Sequence, residues 1–361
     1  MPAYKDEKRG TWFAQFYYTD WTGKRKLKKK RGFSRKKDAQ DYERNFLQKE
    51  AKSSDIDFGN LVENYLEDKG SRLKITTMET KRNIIETKIL PYFENLPINK
   101  IKSTHVRKWQ NTMINEGYAP TYLKTINNQL SAIFNYAVKH YGLEKNPVRI
   151  AGSMGKKNAD KMLIWTLDEF NQFIEHEDKP AAKLAFEILF WTGIRSGELL
   201  ALTPKDILPD KKINITESYA RIKQEDIITE PKTPKSIRVI PIPDFLYDNI
   251  QDYINSLYEI EQDERIFYFT KSFLRKEIQR CCKMSGVKEI RVHDLRHSHA
   301  SLLIELGYDI LLISERLGHE NVETTWNTYG HLYPNKQEKL ASDLDKLKNN
   351  AKLMPQQEND P

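Results

Sequence analysis

Cysteine is almost absent. The chain has two, Cys281 and Cys282, side by side. Neighbours in sequence seldom reach disulfide geometry, so a cross-linked scaffold is excluded and a reducing cytoplasm is expected. Long apolar runs are missing as well, which excludes a membrane span. The start, Met1-Pro2-Ala3-Tyr4-Lys5-Asp6-Glu7-Lys8-Arg9, has no apolar core behind its charges, so no secretory leader is read. No glycine-rich phosphate loop and no clustered Asp/Glu metal site can be found. Neither a cofactor nor a metal is therefore expected. Internal repeats are absent too.

Basic charge is present, and it is unevenly placed. The chain holds 59 basic and 51 acidic residues, for a net charge of +8. Residues 1–50 contain 15 and 7 of these, which leaves 44 of each for the rest. A basic module on a neutral body suits a polyanionic partner.

Residues 1–52 read as that module. Trp12-Phe13-Ala14-Gln15-Phe16-Tyr17-Tyr18 is aromatic and strand-like, and Asp20-Trp21-Thr22-Gly23 supplies a turn. A second strand over 24–31 is almost wholly basic, with Lys24, Arg25, Lys26, Lys28, Lys29, Lys30 and Arg31. Ser34 caps a helix over 35–49 that carries Ala39, Tyr42 and Phe46 at helical spacing. A basic strand backed by a helix can lie in a DNA groove.

Residues 54–150 read as four helices. Apolar stripes run through Phe58, Leu61, Val62, Tyr65 and Leu66, then over 77–90 up to Pro91, through Val106, Trp109 and Met113, and from Leu123 to Ala137. A polar linker follows at Gly152-Ser153-Met154-Gly155-Lys156-Lys157-Asn158. Residues 160–350 read as α+β. A capping box stands at Thr166-Leu167-Asp168-Glu169, a buried helix covers 183–191, and a strand pair joins 212–215 to 236–241. A disordered tail is expected over 351–361. The chain is thus multidomain and mainly α, with small β elements.

Four stretches of the third segment concentrate reactive groups. In Thr192-Gly193-Ile194-Arg195-Ser196-Gly197-Glu198, Arg195 can aim at a phosphate while Glu198 orients it; a plain surface ion pair fits equally well. In Pro231-Lys232-Thr233-Pro234-Lys235-Ser236, a turn lysine can hand a proton to a leaving group, and physics alone does not choose between Lys232 and Lys235. In Arg291-Val292-His293-Asp294-Leu295-Arg296-His297, His293 and Arg296 share a helix face. His293 and His297 could instead hold a metal, but no carboxylate completes that set. The last stretch joins Gly318-His319 to Tyr329, one tyrosine among 18.

The ordered set Arg…Lys…His-x-x-Arg…Gly-His…Tyr resembles the tyrosine recombinases, the phage-integrase family. The resemblance implies a three-stranded N-terminal sheet plus helix that binds arm-type DNA over 1–52. It also implies a helical core-binding domain over 54–150 and an α+β tyrosine recombinase catalytic domain over 160–350. By position, Arg195, Lys232, His293, Arg296, His319 and Tyr329 match the catalytic residues, and Glu198 a supporting acid. Lys232 opens the Lys-Thr-x-x-Ser-x-Arg pattern of the family.

On this reading Tyr329 attacks a DNA phosphate and leaves a 3′-phosphotyrosyl bond. His293 accepts or relays its proton, and Tyr333 is the next candidate nucleophile. Partners implied are double-stranded DNA at core and arm-type sites and a tetramer of the chain on DNA. An excision factor and a DNA-bending host protein complete the set, in the cytoplasm of a bacterial host. Other readings are a type IB topoisomerase, which relaxes DNA without strand exchange, a DNA-binding regulator without activity, and a metal hydrolase.

Overall fold

Alternation of side chains builds the first element. The computed structural model describes residues 3–7, 9–19, 25–51, 54–156, 162–231, 233–332, 341–342 and 344–346. Strands β1 (Ala3–Asp6), β2 (Thr11–Thr19) and β3 (Arg25–Phe33) form an antiparallel sheet in that order. Ala14 and Phe16 of β2 are buried with Ala39 of helix α1 (Lys36–Ala51), and Trp12, Phe33, Tyr42 and Phe46 pack around them. Pairing slips by one residue between Trp12–Phe33 and Phe13–Arg31. Gly32, at φ 93°, is the extra residue, a backbone angle only glycine takes cheaply.

The same alternation divides the basic residues of β3. Arg25, Lys29 and Arg31 share the face away from α1. The Arg25 guanidinium lies 4.4 Å from the Tyr17 ring centre and the Lys29 ammonium 4.6 Å from that of Phe13. Lys26, Lys28 and Lys30 alternate onto the α1 side, where Lys28 lies over the Phe46 ring. The pleat therefore divides the described basic residues read from the sequence between two faces. Lys24 and the turn around it lie outside the described residues.

A separate apolar core holds the helices that follow. Phe58, Leu61, Val62, Tyr65 and Leu66 are buried along helix Phe58–Gly70. Val106, Trp109 and Met113 are buried along Ser103–Asn115, and Leu123 to Ala137 along Pro120–His140, as their spacing predicts. One boundary differs. The second helical stretch does not stop at Pro91. Ile75–Ile84 passes through a π-helical turn, Ile85–Ile89, into Leu90–Phe93. The wider turn accommodates a residue with no N–H to give, so Pro91 continues the helix.

The chain divides into two compact units, residues 1–160 and 161–361. In the second, Thr166 and Glu169 form the expected capping box, and helix Pro180–Thr192 is buried on most sides. Strands Ile207–Leu208, Lys212–Ile215 and Arg238–Pro241 form an antiparallel sheet in which Ile213 faces Ile240. A hairpin, Ser218–Ile222 with Glu225–Thr229, gives no sequence signal. Its turn sets Lys223 and Gln224 at φ 50° and 70° without a glycine or asparagine to announce it. Helices Asp294–Glu305, Ile310–Leu317 and Val322–Tyr329 then carry the last reactive residues. The tail over 351–361 and Tyr333 lie outside the described residues. Among the described residues no helix is long and apolar enough to cross a membrane.

Candidate active site

Two helix ends shape the site. Helix Pro180–Thr192 stops at Gly193 and helix Ile310–Leu317 at Gly318, both in the left-handed region, with φ 68° and 65°. A Cβ on Gly193 would lie 2.6 Å from the His299 ring, and one on Gly318 would lie 2.9 Å from the Arg238 guanidinium. Chain reversal and close approach both demand glycine there.

The carbonyls at these two ends converge on one cation. Arg296, 2% exposed, donates from Nη1 to the Gly193 carbonyl at 2.7 Å and from Nη2 to the Leu317 carbonyl at 2.6 Å. The negative ends of two helix dipoles thus meet a guanidinium. Burial, followed by repulsion from Arg195, pushes its pKa down to about 9, which leaves it charged at neutral pH.

Arg195 sits just before the short helix Ser196–Leu199. Its Nη1 donates to Glu198 Oε1 at 2.6 Å, its backbone N–H to Oε2 at 2.9 Å, and its Nη2 to the Gly318 carbonyl at 3.2 Å. Arg238 Nη2 reaches Glu198 Oε2 from the other side, at 3.0 Å. Burial favours the neutral acid, but Arg238 and Arg195 outweigh it and hold the Glu198 carboxyl below its usual range. Glu198 is therefore a carboxylate between two guanidiniums. Arg238 closes the Lys-Thr-x-x-Ser-x-Arg pattern, yet sequence reasoning gave it no role.

The nucleophile candidate has a different partner from the one expected. Tyr329 is 1% exposed, and its hydroxyl lies 2.6 Å from His297 Nδ1. Burial, opposed by Arg296, pushes the phenol up to about 12. Burial and Arg296 keep His297 below the ordinary histidine value, so the ring is neutral at pH 7. His293 occupies the N-cap of helix Asp294–Glu305 and is exposed. Its ring meets that of His297 edge-on at 5.1 Å. The structure brings His297, not His293, to the hydroxyl: His297, one turn into the helix, follows the stripe of Ala300 and Ile304 that packs with Tyr329. That stripe was the available signal. Among the described residues no group of three His, Cys, Asp or Glu side chains could hold a metal.

His319 follows Gly318 and is half-buried, with Nδ1 2.7 Å from Thr325 Oγ1. Lys235 donates to the Glu320 carbonyl at 2.9 Å. Lys232 lies outside the described residues. Arg195, Arg238 and Arg296 outnumber the carboxylates of Glu198 and Asp294, which leaves an excess of positive charge beside a tyrosine hydroxyl. That arrangement suits an anion attacked by an oxygen nucleophile.

Known proteins resemble this chain over most of its length. Residues 165–336 match the phage integrase family, 57–114 the N-terminal SAM-like domain of phage integrases, and 2–50 an arm DNA-binding domain. The ICEBs1 integrase of Bacillus subtilis (strain 168) is 33% identical over 314 residues, 82% of this chain and 84% of that relative. Among solved structures, the Tn1549 transposon integrase in complex with a circular intermediate DNA superposes with a TM-score of 0.66 at 20% identity. The match covers 81% of this chain and 99% of that one. A lambda integrase tetramer bound to a Holliday junction gives 0.56 at 19% identity, over 89% and 96%.

Proposed function

The chain belongs to the phage integrase family of tyrosine recombinases, and from that premise we propose that Tyr329 is the residue that joins it covalently to DNA. It is a site-specific DNA recombinase, an enzyme of mobile-element integration and excision. One observation carries the assignment of its nucleophile: a buried tyrosine hydroxyl held by a neutral histidine, beside guanidiniums in excess over carboxylate.

Arg195 and Arg296 hold the non-bridging oxygens of the scissile phosphate and balance the charge of the pentacoordinate transition state. Arginine suits this because its planar fork stays charged and can bind two oxygens. His319 hydrogen-bonds the same phosphate. Tyr329 Oη attacks phosphorus as its proton passes to His297 Nδ1. The bond from phosphorus to the 5′-oxygen breaks, and Lys232 protonates the departing oxygen. The products are a 3′-phosphotyrosyl ester and a free 5′-hydroxyl. A 5′-hydroxyl from another strand reverses every step, so no ATP is needed. His293, the exposed N-cap residue of helix Asp294–Glu305 with its ring 5.1 Å from that of His297, relays the proton onward.

Double-stranded DNA is the proposed partner, with the basic sheet of residues 1–52 on arm-type sites and the helical and catalytic parts on core sites. A tetramer acting on two duplexes fits the related lambda integrase assembly. An excision factor and a DNA-bending host protein are the remaining proposed partners, in the cytoplasm of a bacterial host. The decisive test uses a nicked suicide substrate that traps the protein–DNA adduct. Tyr329→Phe abolishes the adduct; an adduct that persists moves the nucleophile to Tyr333.

A further inference from the structure

Thr325 lies on the helix Val322–Tyr329, one turn before the nucleophile candidate. It is wholly buried, and buried hydroxyls are kept only where a partner satisfies them. Its partner is His319 Nδ1, at 2.7 Å. Thr328 on the same helix offers a contrast: it turns its hydroxyl back to the Thr324 carbonyl, as helical threonines commonly do. The Thr325 hydroxyl goes instead to the imidazole.

A neutral imidazole carries one proton, and the group bonded to one ring nitrogen decides which nitrogen holds it. Burial, then Arg296, Arg195 and Arg238, pushes His319 down to about 3, so the ring is neutral across the working range. A hydroxyl has one proton to donate. If Thr325 gives it to Nδ1, the ring proton must sit on Nε2. Among the described residues Nε2 has no protein hydrogen-bond partner, and guanidiniums surround the ring. A bare Nε2 lone pair in that place would repel a phosphate oxygen rather than hold it. An Nε2–H can donate to one.

We infer that Thr325 is a positioning residue, which fixes His319 as the Nε2–H tautomer and so makes it a hydrogen-bond donor to the scissile phosphate rather than a base. The inference rests on the recombinase reading for the identity of the phosphate, though not for the tautomer. It also ties two parts of the site together. The helix that carries Tyr329 is the helix that sets the tautomer of His319, so a shift of that helix would disturb the nucleophile and the phosphate donor at once.

The test has two independent readouts on the full-length protein. Long-range ¹⁵N–¹H correlation of the histidine rings, of which the chain has eight, reports the tautomer without any DNA. The wild-type protein is expected to show His319 protonated on Nε2; protonation on Nδ1 overturns the inference. Thr325→Val removes the hydroxyl at nearly constant shape and is expected to shift the ring toward the other tautomer. Adduct formation on the suicide substrate should then slow by roughly tenfold to a hundredfold, part of the ~10²–10³ that loss of a whole donor costs.

Thr325→Ser restores the hydroxyl and is expected to recover both signals. This variant and the wild-type spectrum keep the test open should Thr325→Val fold poorly. In a His319→Ala background, Thr325→Val should add no further loss. A full additional loss there would mean that Thr325 only packs the helix, and it overturns the inference. If the tautomer is as stated but Tyr329→Phe still forms adduct, the nucleophile assignment fails and the tautomer assignment stands.

Discussion

His297 Nδ1 and the Tyr329 hydroxyl lie 2.6 Å apart, which makes His297, one turn on from the exposed His293, the proposed first acceptor of the phenol proton. Both rings are neutral at pH 7, yet only His297 touches the phenol. A phenol pushed up to about 12 does not ionise unaided at neutral pH, so the proposed attack needs an acceptor for that proton.

His297→Gln keeps an acceptor for the hydroxyl but removes the base. It is expected to slow adduct formation by about 10² or more, with DNA affinity unchanged. Wild-type rates should also fall with acid. His297 must be neutral to act, and its folded pKa lies below the ordinary value of about 6.5, so the loss sets in below that pH and vanishes in the variant. A normal rate in His297→Gln together with a lost rate in His293→Gln returns the role to His293.

Arg238 is the second residue the site needs. It holds Glu198 from the side opposite Arg195 and also donates to the carbonyls of Arg316 and Ser236. Removing one member of a buried ion pair strands the other. Arg238→Ala is expected to destabilise the catalytic unit by about 3–5 kcal/mol, as read by urea unfolding. It should also slow the adduct, because Arg195 then loses a fixed carboxylate. An unchanged midpoint would show that Glu198 needs only Arg195.

The sequence told some of this and withheld the rest for physical reasons. The stripes at Phe58–Leu66 and Leu123–Ala137 were legible because periodicity reports a buried face directly. The order Arg195, His293, Arg296, His319, Tyr329 was legible only as an ordered set, since tyrosine and arginine are each common in the chain. Helix periodicity puts His293 and His297 on one side, but the helix start at Asp294 decides which of them reaches the core. The Arg238–Glu198 pair spans 40 residues and joins a strand to a short helix, a tertiary contact that leaves no local trace. Pro91 inside a helix was illegible because the π-turn that admits it comes from packing.

Acid should also weaken the fold. His299 is 2% exposed and accepts from Arg316 Nε at 3.0 Å, and burial pushes it down to about 3. A depressed histidine gives stability that is present above its unfolded value and is lost as pH falls toward the folded one. Glu198 acts in the same direction. Between about pH 6.5 and 4, stability is therefore expected to drop by ~1.4 kcal/mol per pH unit for His299 alone. His299→Gln should be less stable at pH 7.5 and show a shallower acid slope. Equal slopes in the two proteins would sink the claim.

Lys232 and Lys235 can be told apart chemically. A substrate with sulfur in place of the 5′-bridging oxygen has a leaving group that needs no proton. Loss of the general acid is therefore repaired by sulfur, while loss of a merely structural lysine is not. Lys235 already donates to the Glu320 carbonyl, so Lys232→Ala is expected to be slow on the normal substrate and near wild-type on the sulfur one. Rescue of Lys235→Ala instead would identify Lys235 as the acid.

The last prediction concerns the two faces of β3. A basic residue that binds a DNA phosphate releases a counterion, so removing one such residue reduces the salt dependence of binding by about one in the log–log slope. The face away from α1 carries Arg25, Lys29 and Arg31, with Phe13 and Tyr17 beneath Lys29 and Arg25. Those rings fix the cations in place, which lowers the entropy lost on binding. Lys26, Lys28 and Lys30 alternate onto the side of α1, where the helix limits how closely a duplex can approach. Replacing Arg25, Lys29 and Arg31 by Ala should lower the salt slope on arm-type DNA by up to about three and spare cleavage at core sites. Replacing Lys26, Lys28 and Lys30 should lower it less. Equal slopes for the two triple variants would mean that net charge alone, and not the exposed face of the sheet, binds the arm site.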